Sequence, residues 1–163
     1  MNEISIHIEN DFFVSGDDQI VNTTFYLECD GMYFPDNQWT DYVYPVLNIW
    51  SEKLLSYRWS KTAHFELFFM DGAYKLSVHK YSDEMLVVRC INFRNTPMCE
   101  LEFMCTYSEF LNVILNATRT FIDLLREKKL HTGRFQPVYN QAVLQENRLR
   151  TAIISKEKSD DIQ

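Results

Sequence analysis

Tyr33-Phe34-Pro35-Asp36-Asn37-Gln38-Trp39-Thr40-Asp41 runs without a break into Tyr42-Val43-Tyr44-Pro45-Val46-Leu47-Asn48-Ile49-Trp50 and on to Trp59, and this stretch decides how the chain is organised. Val43, Leu47, Trp50 and Leu54 recur at steps of four, three and four, so one helical face carries them all. Val46, Ile49 and Leu55 widen that face into a stripe broad enough to cover a sheet. Segments with strand periodicity lie on both sides of it, which makes this helix the expected hub of one core. Thr40 or Asp41 is the expected N-cap, because either side-chain oxygen can accept from the free amides of a first helical turn. With Asp41 as the cap, Pro45 falls near enough to the helix start to be tolerated; otherwise it bends the first turn.

Upstream, Ile4, Ile6 and Ile8 alternate with Ser5, His7 and Glu9, the pattern of a half-buried strand. Ser15-Gly16-Asp17-Asp18 reads as a turn. Alternation returns from Ile20 to Asp30, with Val21, Phe25, Leu27 and Cys29 on the core side and Tyr26 among the outward residues. Asp30-Gly31 suits positive φ, and Met32-Tyr33-Phe34 suits a short return strand.

Downstream, Lys61 to Met70 places Ala63, Phe65, Leu67 and Phe69 inward, and Asp71-Gly72 reads as a two-residue hairpin turn into Tyr74, Leu76 and Val78. Met85–Phe93 is apolar on both faces, as a central strand is. Met98–Tyr107 puts Cys99, Leu101, Phe103 and Cys105 inward and Glu100 and Glu102 outward. Ser108 is the expected N-cap of a helix to about Lys129, with Phe110, Leu111, Ile114, Leu115, Phe121, Leu124 and Leu125 on its apolar face and Gly133 in the turn that closes it. A weaker helix, Tyr139 to Ser155, relies on Val143, Leu144 and Leu149, with residues 156–163 a flexible tail. The order ββα-ββββ-αα predicts an α+β fold: one antiparallel sheet of about six strands with helices packed on one face, in a single domain over residues 1–163.

Composition narrows the function. The 163 residues are 46% hydrophobic and 15% aromatic, with four Gly and four Pro, as in a packed domain without long linkers. No basic-then-apolar leader opens the chain, and no apolar run nears the roughly 20 residues of a membrane span. The four cysteines form no C-x-x-C pair and read as reduced thiols of a cytoplasmic protein. Asn22-Thr23-Thr24 and Asn116-Ala117-Thr118 are then chance sequons. Sixteen basic against 23 acidic residues give a net charge of −7, which repels nucleic acid and favours a basic protein partner.

Catalytic signals are weak. His7, His64 and His79 fall on polar strand faces, and no second ligand stands at metal spacing. Glycine-rich phosphate cradles and nucleophile elbows are absent. Asp36 and Asp41 flank Trp39 and would suit acid–base work, or else cap the helix and shape its entry loop. Cys90 with His64 or His79 would make a nucleophile and base, but Cys90 has core parity and the histidines do not. No cofactor is expected. The aromatic excess says more: Tyr26, Phe68 and Tyr81 have outward parity, so either a second layer covers them or a sheet face is exposed for a partner.

Phe34-Pro35-x-x-x-Trp39-Thr40-Asp41-Tyr42 before an apolar helix, followed by Phe69-Met70-Asp71-Gly72-x-Tyr74, resembles small uncharacterised bacterial proteins associated with the immunity proteins of polymorphic toxin systems. The resemblance spans about residues 20 to 107, and Asp36 and Tyr44-Pro45 are departures or local variation within it. It implies a protein that binds and neutralises a toxin domain and brings no catalytic residues with it. Tyr26, Trp39 and Phe68 are then the candidate partner anchors, and Asp36, Glu66, Glu100 and Glu102 the candidate rim charges. The alternative is a small enzyme or ligand-binding domain with a pocket under the Phe34–Asp41 loop.

Overall fold

The computed structural model describes residues 2–11, 13–15 and 20–160. Glycine and aspartate of the 15–18 turn, and the last three residues of the expected tail, lie outside them. The first sheet is built on one long strand. β1 (Ile4–Ile8), β2 (Phe13–Ser15), β4 (Met32–Phe34) and β5 (Thr40–Tyr42) all pair antiparallel with β3 (Ile20–Cys29). Its inward residues Val21, Phe25, Leu27 and Cys29 are buried, as their alternation predicts. Asp30 (φ 51°) and Gly31 (φ 80°) form the two-residue turn between Cys29 and Met32, with both central residues left-handed.

Thr40 and Asp41 belong to strand β5, so neither is the N-cap. α1 (Val43–Ser56) starts from Tyr42, with no side-chain cap. Pro45 is its third residue, inside the first turn where backbone N–H groups have no helical acceptor. Val43, Val46, Leu47, Trp50 and Leu54 are buried as the stripe predicts, but Ile49 at its edge is 41% exposed. The far end of α1 is held by Lys80 and Tyr107: the buried Lys80 ammonium donates to the carbonyls of Tyr57 (3.2 Å) and Arg58 (3.0 Å), and the Tyr107 hydroxyl donates to the Leu54 carbonyl.

Beyond α1 the chain forms a second sheet. β6 (Ala63–Phe68), β7 (Tyr74–Lys80), β8 (Met85–Asn92) and β9 (Met98–Thr106) pair in sequence order as an antiparallel meander. The expected single sheet of about six strands is therefore two sheets, of five and four strands. The crossover through α1 carries the chain away from β3, and the later strands find ladder partners only among themselves. The β6–β7 connection is Met70 to Ala73 rather than two residues, closed by the Phe69 amide donating to the Tyr74 carbonyl at 3.1 Å; Gly72 has the expected positive φ, at 76°. In β9 the register slips: Cys90 faces Leu101, but Ile91 faces Cys99, so Glu100 is the extra residue of a bulge. That slip turns Cys99 outward, against its sequence parity, while Phe103 and Cys105 stay buried.

α2 (Tyr107–Glu127) is capped by Thr106 rather than Ser108. The Thr106 hydroxyl accepts from the Glu109 amide at 3.0 Å, and the Glu109 carboxylate accepts from the Thr106 amide at 2.6 Å. Lys129, with φ 57°, follows its C-terminus, and Gly133 opens a short 3-10 turn (Gly133–Phe135) instead of closing the helix. α3 (Gln136–Asp160) extends beyond its expected bounds at both ends. It buries Ala142, Gln145, Leu149, Ala152 and Ile153, whereas Leu144 is exposed. α1 and α2 each lie against both sheets, and α3 lies against α1 and α2. The result is an α+β fold in which one buried cluster draws on both sheets and all three helices. No helix among the described residues is long and apolar enough to cross a membrane.

Candidate functional site

The two segments that carry the family resemblance meet at the Asp41 carboxylate. Asp41 is fully buried and accepts from four donors: the Tyr42 amide (2.7 Å), the Trp39 indole (3.2 Å), the Met70 amide (3.1 Å) and the Asp71 amide (3.2 Å). Burial pushes its pKa above the usual carboxylate range, and the four donors only partly restrain that rise. Trp39 lies over Gly72 and meets Tyr74 edge-on with ring centroids 4.9 Å apart. Phe34 meets Tyr74 at 5.6 Å and Phe69 at 5.7 Å. Aromatic rings of the two segments thus pack edge-on against one another at this junction. Asp36 is exposed, accepting from the Gln38 amide at 2.8 Å to shape the loop. This junction fastens β5 to the β6–β7 loop, and its carboxylates serve structural contacts.

The opposite parity of the second sheet tells a different story. Its inner face packs on α1 and α2; among the described residues no helix is packed on its outer face, because α3 lies against α1 and α2. Three cross-strand rows follow from the register. His64, His79, Val87 and Met104 form the first; Glu66, Ser77, Arg89 and Glu102 the second; Phe68, Lys75, Ile91 and Cys99 the third. Phe68 is 43% and Met104 46% exposed. Phe68 meets Phe93 edge-on, and the Lys75 ammonium lies 5.7 Å and 5.3 Å from their two ring centres. Both acids of the middle row are ion-paired: Glu66 with Lys75 of the third row at 2.6 Å, and Glu102 with Arg89 of its own row at 2.5 Å. His64 Nε2 lies 2.9 Å from Ser77 Oγ, and the His64 and His79 rings are 5.9 Å apart.

Of the seven candidate residues, Glu66, Phe68 and Glu102 come together on this face, and Glu100 joins them at the bulge, accepting from Asn92 Nδ2 at 2.9 Å. Tyr26 does not. It lies in the first sheet, 7% exposed, stacked on His7 at 4.8 Å and edge-on to Tyr33 at 5.6 Å. Trp39 and Asp36 belong to the Asp41 junction. Lys75 and Arg89 were missed as site residues. Arg89 has outward parity within an otherwise apolar strand, a usable signal, but its pairing with Glu102 depends on register.

Cys90 remains in the core with its thiol pKa raised by burial, on the opposite side of the sheet from His64 and His79, so no nucleophile–base pair forms. Among the described residues, no group of three His, Cys, Asp or Glu is placed to hold a metal ion. Compared with models of protein families, with curated proteins and with solved structures, the chain gives no significant match.

Proposed function

We propose that this chain is a non-catalytic protein-binding module, acting in the cytoplasm as an immunity protein that docks a basic toxin domain on the open face of its four-stranded sheet. The observation that carries the reading is that face itself. An antiparallel sheet ordinarily leaves one side to solvent with a polar surface; here the solvent side carries Phe68, Phe93 and Met104 beside two ion pairs. An aromatic patch flanked by fixed charges has the make-up of an interface core and rim. The net charge of −7 supports a basic partner, drawn by the field of the whole chain, since Glu66 and Glu102 are each offset by a neighbouring cation. Resemblance to the immunity proteins supports the same class of partner.

The test is co-expression with the toxin candidate encoded next to this chain, read by growth and pull-down. Phe68→Ala should weaken binding by about 2 kcal/mol or more, chiefly through faster dissociation. Tyr33→Ala, an exposed aromatic of the first sheet, should leave binding unchanged. Failure to rescue growth or to bind the candidate would remove the immunity reading.

A further inference from the structure

We infer that the hollow at the histidine end of this face is a binding site for a tetrahedral oxyanion, the phosphoryl class. This goes beyond the protein-partner reading and does not depend on it, because the site is built from this chain alone. His64, Ser77, His79, Val87 and Arg89 line a hollow of about 210 Å³. Four of the five present hydrogen-bonding groups, and three of those can donate from a cationic or potentially cationic side chain. They come from three adjacent strands, whose registered pairing of His64 with His79 and Ser77 with Arg89 fixes their spacing.

Arg89 is the fixed cation of the hollow. Its bond to Glu102 uses Nε, and among the described residues neither of its Nη groups makes a hydrogen bond. Glu102 therefore holds the guanidinium in place while leaving its terminal donors for a ligand. The His79 ring likewise makes no hydrogen bond among the described residues, and His64 shares one nitrogen with the Ser77 hydroxyl. A tetrahedral anion offers oxygens in several directions, which matches donors converging from three strands better than a planar carboxylate does.

The charged groups around the hollow are Glu66 on β6, Lys75 on β7, Arg89 on β8 and Glu102 on β9, and the two acids are each paired with one of the two bases. The local balance is near neutral, so converging donors rather than net charge would select the anion. Arg89 beside the histidines also makes the hollow a poor place for a metal cation.

The experiment is a titration of the whole chain with inorganic phosphate at constant ionic strength and one fixed pH, followed through the imidazole NMR signals. Saturable shifts of His64 and His79 are expected. Arg89→Gln should weaken binding about tenfold, in line with the loss of charge-assisted hydrogen bonds. Glu102→Gln should tighten it, an opposite effect that a purely structural role for the ion pair would not give. All these positions are exposed, so an unchanged melting temperature identifies variants that remain folded, and His79→Gln gives an independent loss. Shifts that chloride reproduces, or that survive in Arg89→Gln and His79→Gln, would overturn the site. Equal affinity for acetate would overturn the phosphoryl assignment.

Discussion

A Cβ placed on Gly72 would sit 2.7 Å from Cη2 of Trp39. The tip of the indole therefore rests on a position that only glycine can fill, for two separate reasons. The contact is closer than real Cβ atoms allow, and φ at Gly72 is 76°, in the left-handed region. Gly72→Ala should cost more than the about 1–2 kcal/mol of a left-handed non-glycine residue, because Trp39 must also move. Urea denaturation measures the cost, and the displaced indole should change the native fluorescence.

Asp41→Asn should destabilise the protein by about 1–3 kcal/mol. The asparagine amide would turn a donor toward a site where four N–H groups already converge. Asp36→Asn, at an exposed position serving one loop amide, should change the midpoint little. Equal effects at the two positions would contradict the difference in burial.

Asp11 and Asp41 should shape the acid limb of stability in opposite senses. Burial raises the Asp11 pKa, but hydrogen bonds from Thr23 and Thr24 outweigh it and leave the net value lowered. Its contribution is present above the ordinary carboxylate value of 3.8 and is lost as pH falls below it. Asp41 has a raised folded-state pKa, so the folded protein holds that proton more tightly; its contribution is present at low pH and lost as pH rises above 3.8. Stability–pH curves of Asp11→Asn and Asp41→Asn against the parent chain should therefore differ from it with opposite slopes.

Native protein should react with Ellman's reagent at one thiol, Cys99, and with all four only when unfolded. The other three are buried, with burial pushing Cys29 up to about 11 and Cys105 up to about 12, and Cys90 higher still. Cys99→Ser should abolish the native reaction. Fast labelling of a second thiol would show that the sheet opens more readily than its packing implies.

Trp50→Ala should cost about 3–5 kcal/mol, through the cavity it leaves among Phe25 and Phe69 and through loss of the indole bond to the Phe68 carbonyl at 2.8 Å. Trp50 was legible in the sequence because helical spacing depends only on neighbours along the chain. So were the inward residues of β3, β6 and β7. Cys99 was not, because a bulge in β9 reverses parity without leaving a local mark. Asp41 was misread for a related reason: next to a helix start its side chain has the composition of a cap, yet two of its four donors come from residues 70 and 71. α3 hides its core stripe by building it from Ala142, Gln145 and Ala152, which hydropathy hardly registers. Tyr26 has the outward parity of an anchor but is covered by His7 and Tyr33 from the two flanking strands. The open face was legible as parity; which residues share it needed the register.

The amides of Met70 and Asp71 lie in a loop, where exchange with solvent deuterium is ordinarily fast. Both donate to a carboxylate anchored in the other sheet, so neither is released by fraying of its own hairpin. They should exchange only when the two sheets part, at rates close to those of the central strands. A surface turn thereby becomes a clock for the opening of the whole molecule.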